Sequence, residues 1–138
     1  MNRTGVIVDL HIVIRAGSTV LMGLRQNTGF ADGMYHLPAG HLEDGETFVD
    51  GAIREAREEL GIDIQLADLF LAHVMHHSGR LGLFFSVERW SGTITNAEPG
   101  KCKTLAWLPV DALPANTVDY ARAALRAIDC GDAISTFG

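Results

Sequence analysis

The chain has 138 residues, of which 47% are hydrophobic and 20% are charged. This composition excludes disordered, collagen-like and coiled-coil proteins, and the length predicts one domain spanning residues 1–138. The formal net charge of −6 speaks against a general nucleic-acid-binding protein, which would carry a basic patch, so we expect no nucleic-acid partner.

The sequence carries no signal for membrane insertion or export. No apolar run approaches the ~18 residues that a membrane helix needs, and Asp9 and His11 interrupt the apolar N-terminal stretch, unlike a signal peptide. The two cysteines, Cys102 and Cys130, match neither a metal-binding spacing nor a disulfide framework. We therefore expect a soluble, cytoplasmic protein that does not contact a membrane.

The first third of the chain has the pattern of β-structure. Residues 5–15 are β-branched and apolar and predict a buried strand, and a turn at residues 16–18 joins it to a second strand over residues 19–24. A polar, glycine-bearing loop over residues 26–33 follows, and then a short extended piece over residues 35–38.

The remaining segments mix helices with strands. A helix is predicted over residues 47–60, because Thr47 and Asp50 fit a capping box and Gly61 is a common helix stop. Residues 118–128 carry apolar side chains at helical spacing, and residues 132–138 are expected to fray. Strands are predicted over residues 62–77, 81–90 and 104–108. The sum is an α/β fold, a mixed sheet with helices on its faces.

The predicted helix 47–60 carries three glutamates on one face. Glu55, Glu58 and Glu59 are spaced i, i+3 and i+4. Like charges so close destabilise an isolated helix, whereas three converging carboxylates suit a hard cation such as Mg²⁺ or Mn²⁺. An exposed helix with ordinary ion pairs, such as Arg54 with Glu58, is the alternative. Glu59 lies at the border of the apolar face, so we expect it to be the most buried of the three.

A longer pattern surrounds these glutamates. Gly40 is followed by five residues, then Glu46, then seven residues and the run REAREELGI at residues 54–62. This spacing resembles the Nudix box at every fixed position, with Ala56 where a larger aliphatic residue is more usual. The resemblance to Nudix hydrolases covers nearly the whole chain. It implies an α/β/α sandwich in which the box forms a loop–helix–loop motif.

The resemblance also implies a chemistry, the hydrolysis of a nucleoside diphosphate linked to another moiety by attack of water on phosphorus. Glu46 and Arg54 would pair and brace the loop against the helix. The general base would be Glu55 or Glu58, with Glu98 as a third choice. The ligands of Mg²⁺ or Mn²⁺ would be the carboxylates of Glu55, Glu58 and Glu59 and the backbone carbonyl of Gly40.

Residues outside the box are candidates for substrate binding. The position of Asn116 resembles that of the base-reading asparagine of MutT-type members, although it is also an ordinary loop residue. Arg25 would contact a phosphate, and Glu98 lies in a loop that would close over the site. Phe84 and Phe85 alternate across a strand, so one is expected in the core and Phe85 in the base pocket.

The substrate class is indicated mainly by residues that the sequence lacks. Residues 62–90 contain neither the proline nor the tyrosine that mark many ADP-ribose and dinucleoside-polyphosphate members of the family. This favours a (d)NTP cleaved to a nucleoside monophosphate and pyrophosphate. An ADP-ribose or nucleotide-sugar hydrolase and a non-catalytic nucleotide sensor are the alternatives, and the acidic balance disfavours activity on RNA ends. A homodimer is possible.

Overall fold

The computed structural model describes residues 2–138, which form one mixed sheet flanked by two helices. In chain order the strands and helices are β1 (Ile7–Ala16), β2 (Thr19–Arg25), β3 (Tyr35–His36), β4 (Ala39–His41), α1 (Phe48–Leu60), β5 (Leu69–His77), β6 (Arg80–Val87), β7 (Cys102–Pro109), α2 (Asp119–Asp129) and β8 (Ile134–Thr136). Short 3₁₀ turns at Leu66–Asp68 and Val110–Ala112 precede β5 and follow β7. Within this range, no helix has the length and apolar character needed to cross a membrane.

Strand β1 organises the sheet. It pairs in parallel with β6 and antiparallel with β2 and β4, while β2 continues antiparallel to β3 and β7. On the other side, β6 pairs antiparallel with β5, and β5 pairs in parallel with β8. The antiparallel pairing of β4 with β1 places Gly40 beside Leu10, next to the helix that follows.

The two helices cover opposite faces of the sheet. Alternate residues of β1 point to opposite faces, so Ile12 packs in the core cluster that contains Ala56 of α1, whereas Val13 packs in the cluster that contains Leu125 of α2. All four side chains are buried. The α/β/α sandwich predicted from the sequence is therefore confirmed.

Helix α1 has the ends that the sequence predicts. The Thr47 hydroxyl accepts a hydrogen bond from the backbone N–H of Asp50 at 3.1 Å, which satisfies one of the free donors of the first turn. At the other end Gly61 has φ 67° and its N–H donates to the carbonyl of Arg57, the left-handed termination that glycine adopts without strain. These two ends fix the register in which the glutamates face the sheet edge.

Two predicted strand boundaries and the prediction of a frayed tail are wrong. The strand predicted over residues 62–77 begins only at Leu69, because Ile62 and Ile64 alternate to bury against the core while Asp63 pairs only with Ser91 in a single bridge. The strand predicted over residues 81–90 ends at Val87. The tail is not frayed, since β8 adds to the edge of β5 and the N–H of Phe137 donates to His76 at 3.0 Å.

Candidate active site

A cavity of about 630 Å³ opens between helix α1, the end of β2, the segment from β3 to β4, and the loop before β7. It gathers both charged and apolar side chains, so it could hold a ligand that is charged at one end and apolar at the other. The acidic lining residues are Glu43, Glu55, Glu58, Glu59 and Glu98; the basic ones are Arg25, Arg54 and Lys101; His36 and His41 also line it, as do the apolar Leu24, Leu37, Leu60 and Leu105.

Gly40 and Glu55 meet where β4 passes the helix. A Cβ atom built on Gly40 would lie 1.9 Å from Oε1 of Glu55, a distance no side chain tolerates. Glu55 is only 6% exposed. Glycine at position 40 therefore allows the backbone of β4 to approach the carboxylate directly.

Arg54 is bound on several sides. Its Nε and Nη2 donate to the two carboxylate oxygens of Glu46 at 3.0 and 2.7 Å, and Nη2 also donates to the carbonyl of His41 at 3.1 Å. Its Nη1 donates to Glu55 at 2.8 Å and to Glu58 at 3.1 Å. This fork links the loop before α1 to the acidic face of the helix, and such charge-assisted, bidentate bonds are among the strongest and most directional in proteins.

The carboxylates of this site differ in how their charge is balanced. The Arg54 guanidinium, helped by the N–H of Glu43, lowers the pKa of Glu46 to about 2. Burial, together with the neighbouring Glu55 and Glu98, raises the pKa of Glu59 to about 8. The pKa of Glu55 is also raised, first by burial and despite its bond to Arg54. The carboxylates of Glu55 and Glu59 are thus buried without enough positive charge around them to stabilise their ionised forms.

Burial divides between two of the three glutamates: the side chain of Glu55 is the least exposed to solvent, whereas burial acts most strongly on the carboxylate of Glu59, where it raises the pKa to about 8. Glu55 is buried, Glu59 is only partly buried and Glu58 is exposed. The sheet explains the difference, because β4 covers the helix at Glu55 and the helical pattern alone gives no information about that strand.

The donor set fits a hard divalent cation. Glu55, Glu58 and Glu59 offer only oxygen ligands, and burial, with a smaller effect of neighbouring carboxylates, raises the pKa of two of them, so their charged forms would be stabilised by a cation. In residues 2–138 no three acidic, histidine or cysteine side chains are already gathered as a metal cage. One reason is that Nη1 of Arg54 is bonded to both Glu55 and Glu58.

The substrate-binding candidates are divided by the fold. Arg25 and Glu98 line the cavity, whereas Asn116 and Phe85 do not. Phe85 is 4% exposed and packs in the α1-side core, and Phe84 is buried on the opposite face against α2. Because helices cover both faces of the sheet, alternation along the strand buries both rings rather than leaving Phe85 in a base pocket.

Asn116 is held at the edge of the loop between β2 and β3. Its amide group donates to the carbonyl of Gly33 at 3.1 Å, and its own carbonyl accepts from the N–H of Tyr35 at 2.8 Å. The side chain is exposed and braces the loop in this conformation.

The cavity also contains residues that the sequence did not single out. Asn27 and Thr28 line it from the loop after β2, and Lys101 lines it from the loop before β7. The two loops are joined, since the side chain of Gln26 donates to Pro99 at 2.8 Å and that of Asn27 donates to Gly100 at 3.1 Å. The contacts lie 73 residues apart in the chain, so no local pattern indicates them.

Comparison with known proteins places this geometry in a family. The profile of the NUDIX domain matches residues 5–128. The chain is 32% identical to an 8-oxo-dGTP diphosphatase of Proteus vulgaris over 101 residues, which are 72% of this chain and 84% of that protein. It is 31% identical to the NAD-capped RNA hydrolase NudC of Stutzerimonas stutzeri over 107 residues, which are 78% of this chain but only 38% of that protein.

Solved structures agree. A MutT NUDIX hydrolase from Burkholderia pseudomallei superposes with a TM-score of 0.78 at 25% identity, covering 87% of this chain and 95% of that one. A MutT protein from Methanosarcina mazei has the same fold, with a TM-score of 0.78 at 18% identity over 94% of this chain and 97% of that one. With the box glutamates, Gly40 and Arg54 gathered at one cavity, these matches show that the chain belongs to the Nudix family.

Proposed function

We propose that this Nudix hydrolase is a divalent-metal-dependent pyrophosphohydrolase that cleaves a (d)NTP to a nucleoside monophosphate and pyrophosphate. The observation that carries the proposal is the meeting of three glutamates from one helix with Gly40 at a single cavity, beside the basic side chains of Arg25 and Lys101.

The box residues have distinct roles in this proposal. Glu55, Glu58 and Glu59 and the carbonyl of Gly40 would hold Mg²⁺ or Mn²⁺. Such a cation would supply charge neutralisation at the phosphates and make the attacking water more acidic. Glu55 or Glu58 accepts the proton of the attacking water, with Glu98 as the third candidate.

Arg54 and Glu46 position the other residues of the box. Arg54, held by both oxygens of Glu46, keeps Glu55 and Glu58 directed at the cavity and ties them to the preceding loop. Arg25 contacts a phosphate from the opposite side of the cavity. Asn116 is proposed to read the base, which requires its amide to exchange its bond with Gly33 for one to the substrate.

The (d)NTP is favoured over other substrates by two observations. The 8-oxo-dGTP diphosphatase of Proteus vulgaris is matched over 84% of its length. Residues 62–90 also lack the proline and tyrosine of the ADP-ribose and dinucleoside-polyphosphate groups.

A second candidate is activity on NAD-capped RNA. Relatives named NAD-capped RNA hydrolase NudC match from several bacteria, although the chain spans only 38% of the length of the NudC of Stutzerimonas stutzeri. This candidate conflicts with the expectation of no nucleic-acid partner. The net charge of −6 favours a small nucleotide over an RNA, whose binding rests on contacts between basic side chains and phosphates.

The test is a substrate panel with Mg²⁺ or Mn²⁺ and chromatographic separation of products. It includes canonical and oxidised (d)NTPs, ADP-ribose, NAD, NAD-capped RNA and nucleotide sugars. We expect monophosphate and pyrophosphate from a triphosphate, and hydrolysis in ¹⁸O-water identifies the phosphorus that is attacked.

Two variants accompany the panel. Glu58→Gln should abolish turnover, while Glu88→Gln, which removes an exposed carboxylate outside the cavity, should leave it unchanged. Turnover confined to ADP-ribose, NAD or NAD-capped RNA would replace the substrate and keep the site. Tight nucleotide binding without any turnover would contradict the catalytic proposal.

A further inference from the structure

The loop between β2 and β3, residues 26–33, holds an exposed aromatic ring over a cavity arginine. The ring of Phe30 is 53% exposed, and the Cζ atom of Arg25 lies over it at 5.3 Å from the ring centroid. The Nε of Arg25 donates to the carbonyl of Phe30 at 2.8 Å. One residue therefore holds the guanidinium at two points, through its ring and through its carbonyl.

These contacts leave the rest of the guanidinium free. Within residues 2–138, neither Nη1 nor Nη2 of Arg25 donates to a protein acceptor, and no carboxylate oxygen lies within 4.0 Å of it. Arg54 in the same cavity is the opposite case, since its three nitrogens are occupied by Glu46, Glu55 and Glu58. Arg25 is thus the arginine of the cavity with donors available to an anion.

The loop is built to present this contact. The carboxylate of Asp32 accepts from the backbone N–H groups of Thr28 and Gly29 at 3.1 and 3.0 Å. Ala31 has a φ value of 51°, a conformation that is costly for alanine and persists where the surrounding contacts enforce it. Because the ring of Phe30 is exposed, packing in the core does not explain why this constrained loop carries an aromatic residue.

We propose that Phe30 is a positioning residue that holds the guanidinium of Arg25 in the cavity, with its two terminal nitrogens presented to the phosphate chain of the substrate. The inference rests on the proposed function, in which Arg25 contacts a phosphate. The ring removes rotational freedom from a long side chain before the ligand arrives, so less entropy is lost on binding.

The test is a double-mutant cycle read by binding of inorganic pyrophosphate with Mg²⁺ in a calorimeter, which requires no turnover. Phe30→Ala should weaken pyrophosphate about three- to tenfold, and Phe30→Trp should restore the affinity of the wild type because indole is the best cation–π partner. Phe30→Leu, which keeps apolar bulk without a π face, should behave like Phe30→Ala. In the Arg25→Ala background, Phe30→Ala should have no further effect.

Matched measurements separate positioning from a structural role. Phe70→Ala removes a ring that is 47% exposed on β5, outside the cavity, and should leave pyrophosphate binding unchanged. On a substrate that is turned over, Phe30→Ala should raise KM more than it lowers kcat.

Three results would overturn the proposal. These are wild-type pyrophosphate affinity in Phe30→Ala, an equal loss from Phe30→Ala with and without Arg25, or no loss from Arg25→Ala itself. A substrate panel without turnover would reject the proposed function, while the binding cycle would still decide the role of Phe30.

Discussion

The cavity has two walls that are held in different ways. The helix wall is one face of α1, where three glutamates within five residues of sequence are fixed by helical spacing and by the ion pairs of Arg54. The loop wall consists of residues 26–33 and 96–101, which are joined by hydrogen bonds between side chains and backbone carbonyls across 73 residues of sequence.

The two walls also differ in the charge that they present to the cavity. On the helix wall the pKa values of Glu55 and Glu59 are raised by burial and by neighbouring carboxylates. Arg25, which ends β2 and is held by Phe30 of the loop wall, instead has guanidinium donors free for an anion. The helix wall is therefore suited to a cation and the loop wall to an anion. We infer that metal binding and substrate affinity can be changed separately, and the predictions below test that separation.

The largest effect is expected from Glu59→Gln on the helix wall. Loss of a proposed metal ligand should lower kcat more than about 100-fold. Even the removal of a residue that only hydrogen-bonds to a metal ligand typically lowers metal affinity or activity by about 10–100-fold. The fold should persist, because glutamine matches the protonated, uncharged form that Glu59 takes at neutral pH in the metal-free protein. Steady-state kinetics and circular dichroism check both statements, and normal turnover would reject the metal assignment.

Arg54→Lys should cost about 10–100-fold in kcat. Lysine keeps the charge but cannot donate to both oxygens of Glu46 and also reach Glu55. Arg57→Lys is the control, because Arg57 lies outside the cavity and pairs with the exposed Asp63. Equal activity of the two variants would show that charge alone suffices at position 54.

Metal binding should be coupled to a proton. Since the pKa of Glu59 is about 8 without metal, against an ordinary value of 4.5, this group is protonated at neutral pH and must lose its proton to bind Mg²⁺. Mg²⁺ affinity should rise with pH by up to about tenfold per unit between pH 6 and 8. Calorimetry in buffers of different ionisation enthalpy measures the released proton.

The same shift predicts the pH dependence of the metal-free fold. A raised pKa means that the unfolded chain loses this proton first as pH rises, so the metal-free protein should lose stability between about pH 4.5 and 8. Thermal unfolding in EDTA checks the sign. In Glu59→Gln both the proton release and this part of the pH dependence should disappear, and their persistence would assign them to another group.

Asp32→Ala acts on the loop wall alone. Without the carboxylate that binds the N–H groups of Thr28 and Gly29, the loop should loosen and KM should rise by about three- to tenfold, as expected from the loss of one or two hydrogen bonds. Mg²⁺ affinity and kcat should stay near wild type. A fall in Mg²⁺ affinity would show that the walls are not independent.

The smallest effect is expected from Asn116→Ala. If the amide reads the base, the ranking of nucleotides should change by about two- to fivefold per base while metal dependence stays constant, as one hydrogen bond permits. Relative kcat/KM values across the four bases and their oxidised forms measure it. An unchanged ranking would leave Asn116 with only its observed contact to Gly33.

The order of elements and the helix wall could be predicted from the sequence for a local reason. Thr47, Gly61 and the spacing of Glu55, Glu58 and Glu59 act within one helix, where neighbours in space are neighbours three or four positions away. The same holds for Arg54 and Glu58, while the bond of Arg54 to Glu46 spans a single loop and turn.

The predictions that were wrong depend instead on contacts between residues that are far apart in the sequence. Residues 62–68 alternate like a strand but have no strand beside them, and residues 134–136 look like a tail but reach the edge of β5. Phe85 was expected in a pocket and is buried because both sheet faces are covered. Each outcome depends on a partner that is far away in the chain.

The sequence by itself determined the family, the sheet-and-helix order and the acidic face of α1, because these follow from periodicity and spacing within short segments. Only the tertiary structure decided that the side chain of Glu55 is less exposed than that of Glu59, that Gly40 meets Glu55, and that Arg25 is held by Phe30. These depend on how β4 and two distant loops pack around the helix, and packing is a property of the whole chain rather than of any segment.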